Sequence, residues 1–319
     1  MARDDILKLL RERGDYVSGE QMAEALGVSR AAIWKQIQSL TRDGYEIESH
    51  QNRGYKLVGI PDKLYPVEVR HGLQTTLIGS KVVHFNVTGS TNIVARQMAE
   101  RGIDEGTVVI AETQNRGKGR LGRKWITRQG GVWMSVVIKP KIDPMHAASI
   151  TLMAAVSVTK ALREFGIEAV IKWPNDVLVN GKKICGILTE MSAETDVVNF
   201  IILGIGINVN NEVPLDTATT ARSELGRPVD RLKLVQSILE ELEEDYATLR
   251  EQGFTPILWN WRRYSDTLGR AVEVIYQDEI IRGTAQDVDD AGSLLVKLPD
   301  GNVRKIVSGD CKHLKSLKQ

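Results

Sequence analysis

Three parts in series are predicted: a small helical module closed by a hairpin, a mixed α+β domain, and a short all-β barrel. Three observations predict them. The first 60 residues carry three short helical periods and then an alternating segment. Residues 67–265 interleave apolar strand runs with helical stretches, the pattern of a sheet covered on at least one face. From Leu268 only short strands remain, separated by glycine and aspartate turns. A chain of 319 residues is long for one core and comfortable for two or three.

Bulk properties exclude several classes. Hydrophobic residues make up 42% and charged residues 26%, as in ordinary globular chains. No window approaches the roughly 18 consecutive apolar residues of a membrane span. The opening MARDDILKLLRER lacks the apolar stretch and small-residue cleavage site of a signal peptide, so the cytoplasm is the expected compartment. Cys185 and Cys311 alone make neither a disulfide framework nor a zinc site. Five scattered histidines give no metal spacing, and no G-x-S-x-G elbow suggests a hydrolase. A net charge of +1 means that any binding to nucleic acid must be local.

In the first part, 1–60, a helix is expected over Asp4–Arg13, with Ile6, Leu7, Leu9 and Leu10 on its buried side. Ser18 and Gln21 have capping-box spacing, so a second helix starts there and stops at Gly27. Ser29 caps a third through Leu40, closed by Gly44. Tyr45–Val58 alternates and turns at Asn52-Arg53-Gly54. This is the winged helix-turn-helix order. On a helical wheel Ile33, Ile37 and Leu40 face the core, while Ala31, Ala32, Trp34, Lys35, Gln38 and Ser39 face outward. Arg30, Ala31, Lys35, Gln38 and, at the wing tip, Arg53 are the candidate DNA contacts. Winged helices also dock proteins, and nine Lys/Arg against nine Asp/Glu leave residues 1–60 neutral. A neutral module binds DNA weakly alone, so two copies are expected to act together.

Pro61 and Pro66 bracket a linker, 61–66. Strands follow over Val82–Val87, Thr107–Glu112, Val132–Pro140, Ala169–Lys172, Asp176–Asn180 and Phe200–Val209. Helices are expected over Thr91–Arg101, Ala147–Phe165 and Leu232–Gln252. The last part holds strands Ala271–Tyr276, Ile280–Asp287, Ser293–Lys297 and Val303–Ser308, a small closed barrel.

Gln114–Trp125 is the most informative stretch. Gly117, Gly119 and Gly122 spell G-x-G-x-x-G, but Arg123-Lys124-Trp125 follows where a dinucleotide fold needs an apolar helix. Residue 142, 20 positions past Gly122, is Ile rather than an acid. No Gly-Lys-Ser/Thr makes it a P-loop either. What remains is Arg116, Lys118, Arg120, Arg123 and Lys124 on a flexible backbone. That is a phosphate clamp ordered by its ligand, or a basic surface loop for nucleic acid. Gly204 and Gly206 interrupt an apolar strand, which calls for close approach of a ligand or another backbone.

The clamp resembles the G-R-G-R-x-G-R-x-W signature of biotin–protein ligases. Four further stretches match in the family's order: Ser90-Thr91-Asn92, Lys172-Trp-Pro-Asn-Asp176, Lys183-Ile-Cys-Gly186 and Gly204-Ile-Gly-Ile-Asn208. With the N-terminal module, the whole resembles the bifunctional ligase–repressor class. Lys118 departs from the family's arginine, keeping the charge and losing the bidentate fork. Residues 209–227 match no motif.

The resemblance implies a class II aminoacyl-tRNA-synthetase-like α+β catalytic domain over 67–267 and an SH3-like barrel over 268–319. It implies that biotin's carboxylate attacks the α-phosphate of ATP, with Mg²⁺ screening the pyrophosphate that leaves. Biotin then passes to a lysine of biotin carboxyl carrier protein. Ser90, Thr91, Asn92, Gln114, Lys118, Gly119, Arg120, Lys183, Gly186 and Gly204 are the implied biotin contacts. Lys118, Arg120, Arg123, Trp125, Asn175, Lys183 and Asn208 are the implied adenylate contacts. Arg120 and Lys183 are expected to act on the α-phosphate, and Asp176 to orient the acceptor lysine. Plain alternatives stand beside these: a surface lysine for Lys183, a core side chain for Trp125, turn chemistry for Asp176 and Asn208. No metal site built by the protein is expected. Biotinyl-adenylate is expected to promote a homodimer on operator DNA, with the acceptor protein relieving repression. A repressor that senses ligand without chemistry and a lipoate–protein ligase are the competing readings.

Overall fold

The computed structural model describes residues 2–194, 197–277 and 279–314, in two compact units, Met1–Lys63 and Leu64–Gln319. Residues 315–319 of the expected barrel lie outside the described residues.

The first unit is α1 (Ala2–Arg13), α2 (Gly19–Leu26), α3 (Arg30–Arg42), β1 (Glu46–His50) and β2 (Gly54–Gly59). Its helix ends are set by side chains. The Ser18 hydroxyl accepts from the Gln21 amide and the Gln21 side chain accepts from the Ser18 amide, a complete capping box. Gly27 ends α2 in the left-handed conformation, and Ser29 caps α3 through the Ala32 amide. Ile6, Leu7, Leu10, Met22, Ile33, Ile37, Leu40 and Tyr45 form the core. Gly54 turns the wing at φ 99°, and a Cβ there would lie 2.1 Å from the Val17 carbonyl. That close approach lets Val17 and Tyr55 exchange backbone hydrogen bonds.

The second unit opens with α4 (Pro66–Arg70), β3 (Val82–Thr88), α5 (Thr91–Glu100), β4 (Val108–Gln114) and β5 (Val132–Ile138). Then come α6 (Ala147–Glu164), β6 (Val170–Lys172), β7 (Asp176–Val179), β8 (Lys182–Glu194) and β9 (Val197–Ile207). Helices α7 (Ala221–Leu225), α8 (Arg231–Gln252) and α9 (Thr255–Tyr264) follow. Seven strands form one sheet in the order β3-β4-β5-β9-β8-β7-β6. Only β3 and β4, joined through α5, run parallel. Alternate strand residues face opposite ways: Val108 and Ile110 join the core beneath α6, α8 and α9, while Val109, Val137 and Ile202 meet Ala95 and Ala99 of α5. Among the described residues one helical stretch, Pro144–Glu164, which includes α6, is long and apolar enough to cross a membrane, at mean hydropathy 1.3. Twelve of its residues, from Ser149 to Leu162, are buried, as suits the central helix of a folded core.

Strands β10 (Ala271–Tyr276), β11 (Glu279–Val288), β12 (Leu294–Lys297), β13 (Val303–Ile306) and β14 (Asp310–His313) form an antiparallel sheet in the order β13-β12-β11-β10-β14. Each contributes to one interior, with Val274, Ala285, Val296, Ile306 and Cys311 buried, as in an SH3-like barrel. The Trp173 indole N–H donates to the Gly292 carbonyl and ties this sheet to the larger one.

Candidate functional site

Sheet register gathers the site. Asp176 pairs with Gly186, Gly186 with Gly206 and Gly206 with Trp133, one row across four strands. Two residues along, Leu188, Gly204 and Ser135 form the next row. Glycines in the middle of each row leave a trough. Ser90, the N-cap of α5, and Gln114, the last residue of β4, stand at its head. The result is a cleft of about 310 Å³ that all the residues from Ser90 to Asn208 named above as ligand contacts line.

Its floor is polar and uncharged. The Gln114 side-chain carbonyl accepts from the Thr91 amide at 2.7 Å. The Ser135 hydroxyl lies 2.7 Å from Thr91 Oγ1 and 2.6 Å from Asn92 Oδ1. Asn92 Nδ2 donates to the Glu190 carboxylate at 2.8 Å. Ser90, Thr91, Asn92 and Ser135 are all buried. Ile126, Met134, Ile187, Leu188 and Ile205 supply apolar walls.

At the other end the cleft is charged. Lys183 Nζ lies 2.5 Å from Asp176 Oδ1 and 5.0 Å from the centre of the Trp125 ring. Arg120 donates to the Asn175 side chain at 3.1 Å, and Asn175 in turn donates to the Ile187 carbonyl. Burial, opposed by Asp176 and reinforced by Arg123, draws the Arg120 guanidinium below its usual value, and it stays a cation. Cys185, fully buried behind this cluster, has its thiol pushed up by burial, so it offers no thiolate nucleophile.

These features sit in a chain with known relatives. Residues 84–208 match the Biotin/lipoate A/B protein ligase family, residues 3–56 an HTH domain and residues 267–314 a Biotin protein ligase C terminal domain. The bifunctional ligase/repressor BirA of Bacillus subtilis is 40% identical over 317 residues, covering 97% of each chain. The chain belongs to the bifunctional ligase/repressor family. The BirA of Escherichia coli is 31% identical over 310 residues, 94% of each chain. The solved biotin protein ligase from Aquifex aeolicus in complex with biotin and ATP superposes with a TM-score of 0.64 at 28% identity. That match covers 74% of this chain and all of the other.

Within this ligase/repressor fold several expectations change. The clamp is no unstructured run of charges. Lys118 bridges Lys124, and the Gly119 amide donates to the Arg123 carbonyl, making a small hairpin with Leu121 exposed at its tip. Arg123 forms a two-pronged ion pair with Asp310 of β14 and is not a free cation over the cleft. Side chains of the protein also come close over the strand glycines. A Cβ on Gly204 would lie 2.2 Å from Asn92 Oδ1, and one on Gly206 2.6 Å from Trp125 Nε1. Asn208, buried, accepts from Asn211 Nδ2 at 3.1 Å. The sequence reading missed Asp310 and the wall Val213–Ala218. That wall is held by Lys183, whose amide donates to Thr217 and whose carbonyl accepts from Thr219.

In the first unit, Ala31, Lys35, Gln38 and Arg30 are exposed on α3, on the side away from Ile33, Ile37 and Leu40. Arg53 is exposed at the wing but engaged: it pairs with Asp15 at 3.1 Å and lies 4.2 Å over the Tyr16 ring. A phosphate there would compete with Asp15 for the guanidinium.

Proposed function

We propose that the cleft joins biotin and ATP into biotinyl-5′-AMP and passes biotin to a lysine of biotin carboxyl carrier protein, and that the first unit holds operator DNA. One observation carries the catalytic part: an uncharged donor–acceptor floor and a pair of cations share one cleft. Ser90, Thr91 and Gln114 suit a ureido ring, which is neutral and both donates and accepts. Arg120 and Lys183 suit the meeting of two anions.

A biotin carboxylate oxygen forms a bond to the α-phosphorus as the bond to the β-phosphate oxygen breaks, and pyrophosphate leaves. Arg120 and Lys183 offset the charge that gathers on the α-phosphate oxygens, with Lys118 in support. Trp125 shields the mixed anhydride from water. The neutral amine of the acceptor lysine then attacks the anhydride carbonyl, the carbonyl–oxygen bond to AMP breaks and AMP departs, and the amine's surplus proton is lost to solvent as the amide forms. Asp176, already beside Lys183, orients that amine by accepting its proton in a hydrogen bond. No group of three or more His, Cys, Asp or Glu able to hold a metal occurs among the described residues. Mg²⁺ would arrive bound to the nucleotide phosphates and screen the charge of the departing pyrophosphate.

ATP, the carrier protein and DNA meet in the cytoplasm, where this reading places the chain. In the same reading adenylate promotes a homodimer that binds the operator, and the carrier protein relieves repression by consuming adenylate. Lipoate is a poorer fit, since its dithiolane ring has nothing to satisfy the polar floor.

Pyrophosphate release from ATP tests the chemistry, measured with biotin, with lipoate and with neither. Biotin-dependent release, lost by 10²-fold or more in Lys183→Ala, is expected from removal of one charge-stabilising donor. Tight biotin binding without release would leave a ligand-sensing repressor, and release with lipoate alone would move the chain to the sister activity.

A further inference from the structure

Trp34 is 58% exposed on α3, although its neighbour Ile33 is buried. Along the helix, Arg30, Ala31, Trp34 and Gln38 stand at i−4, i−3, i and i+4, so they form one outward stripe, with Lys35 beside it. A tryptophan is a costly residue to leave in water, and the helix gains no core contact from it.

The charges around it are segregated. Helix α3 carries Arg30, Lys35 and Arg42 and no acid, while all nine acids of residues 1–60 lie elsewhere. Off the helix, Arg3, Lys8, Arg53 and Lys56 each lie within 4.0 Å of a carboxylate. Arg30 and Lys35 have no ion pair among the described residues. The stripe therefore offers an indole flanked by two unpaired cations, and it suits a polyanion that carries apolar groups between its charges. A duplex major groove has that chemistry: phosphates at its edges and thymine 5-methyl groups on its floor. Because the unit is neutral overall, phosphate attraction supplies little, and contacts to base edges must carry a larger share of binding.

We propose that Trp34 is a base-reading residue whose indole packs on thymine 5-methyl groups while Arg30 and Lys35 hold the flanking phosphates. This rests on the reading of the first unit as a DNA-binding unit. Trp34 would set which sequences are bound, where Arg30 and Lys35 set how tightly any sequence is held.

The test uses the full chain with biotin and ATP to select duplexes from a random library. In the enriched duplex each thymine is replaced in turn by deoxyuridine, which removes the methyl and nothing else. Wild type is expected to lose about fourfold in affinity at one or more positions, the worth of one methyl group taken out of water. Trp34→Ala is expected to bind more weakly and to treat thymine and deoxyuridine alike at those positions. Trp34→Leu, which keeps an apolar surface, is expected to retain part of the discrimination. Indifference of wild type to every replacement, or undiminished discrimination in Trp34→Ala, would overturn the role of Trp34 alone. Failure to enrich any duplex would overturn the DNA-binding reading and this inference with it.

Discussion

Asp310 places a carboxylate on the wall of a cleft argued to take phosphates, and its partner there is Arg123 of the clamp. Both side chains are partly in water, at 63% and 27% exposure, so the pair itself contributes little stability. Its larger effect is on charge: an incoming triphosphate meets one more anion and one cation already engaged. Asp310→Asn keeps a hydrogen-bond acceptor for Arg123 and removes the negative charge. At separations of a few ångströms in water one charge is worth about 1 kcal/mol, so KM for ATP is expected to fall about fivefold. Steady-state kinetics at low and high salt check this, since the gain should shrink as salt screens it. A rise in KM would mean that Asp310 serves chiefly to position Arg123. Gly206→Ala acts on the opposite wall. Its Cβ would meet the Trp125 indole at 2.6 Å, and β9 backbone cannot retreat between two paired strands. Trp125 and Lys183 must shift, and biotin-dependent pyrophosphate release is expected to fall at least tenfold with little loss of thermal stability. The five sequence motifs did name most side chains that line the cleft, because each carries a residue type that packing alone does not require. Asp310 escaped because one aspartate in a turn-rich segment has ordinary surface chemistry. Val213–Ala218 escaped because its residues serve by shape.

Among the elements, the start of the second unit is pinned by a buried ion network. Arg231, at the head of α8, pairs with Glu112 of β4 at 3.0 Å and donates to the Gly131 carbonyl. Glu112 also accepts from the Leu64 amide at 2.9 Å and lies 3.2 Å from His84 Nε2. Burial works to raise the Glu112 carboxyl, but His84, Arg231 and the Leu64 amide outweigh it and hold the group below the usual carboxylate value. A depressed acid stabilises the fold above its unfolded pKa and loses that contribution as pH falls through the folded one. The second unit should therefore lose stability below about pH 4, where the unfolded carboxyl begins to take up its proton. Arg231→Ala leaves the carboxylate buried without its guanidinium, and a loss of about 3–5 kcal/mol is expected in denaturant titrations. In that variant the fall in stability at acid pH should be smaller. Equal acid limbs in the two proteins would remove the network from the explanation. Elements like α6 and α8, with buried residues at helical spacing, were legible in the sequence. Strand β8 was not, because its lysine pair and Gly186 break any alternation, and its pairing along almost all of β9 makes it a strand. Helix α9 was hidden by its aromatic content; Ile257, Leu258 and Trp261 make it a helix by burial in the core.

Across the whole molecule, the neutral first unit sets the terms of repression. One copy presents few unpaired cations, so it can displace few counterions from DNA, and its affinity alone should be poor. Two copies, if joined as proposed, would turn the second contact into an intramolecular one, raising affinity by 10²- to 10⁴-fold without any new interaction with DNA. If adenylate promotes that joining, the chemistry of the cleft controls DNA occupancy through assembly, with no change needed in the DNA-reading surface itself. The expectation is specific. On a duplex with two inverted half-sites, fluorescence anisotropy should show weak binding without substrates and at least 10²-fold tighter binding with biotin and ATP. On a single half-site the same addition should change little. With about two phosphate contacts from each copy, the slope of log affinity against log salt should be about −4. A steep slope near −10 would mean that cations outside α3 take part. Equal affinity with and without substrates on the double site would separate the ligase from the repressor, leaving two functions that share a chain and no control between them.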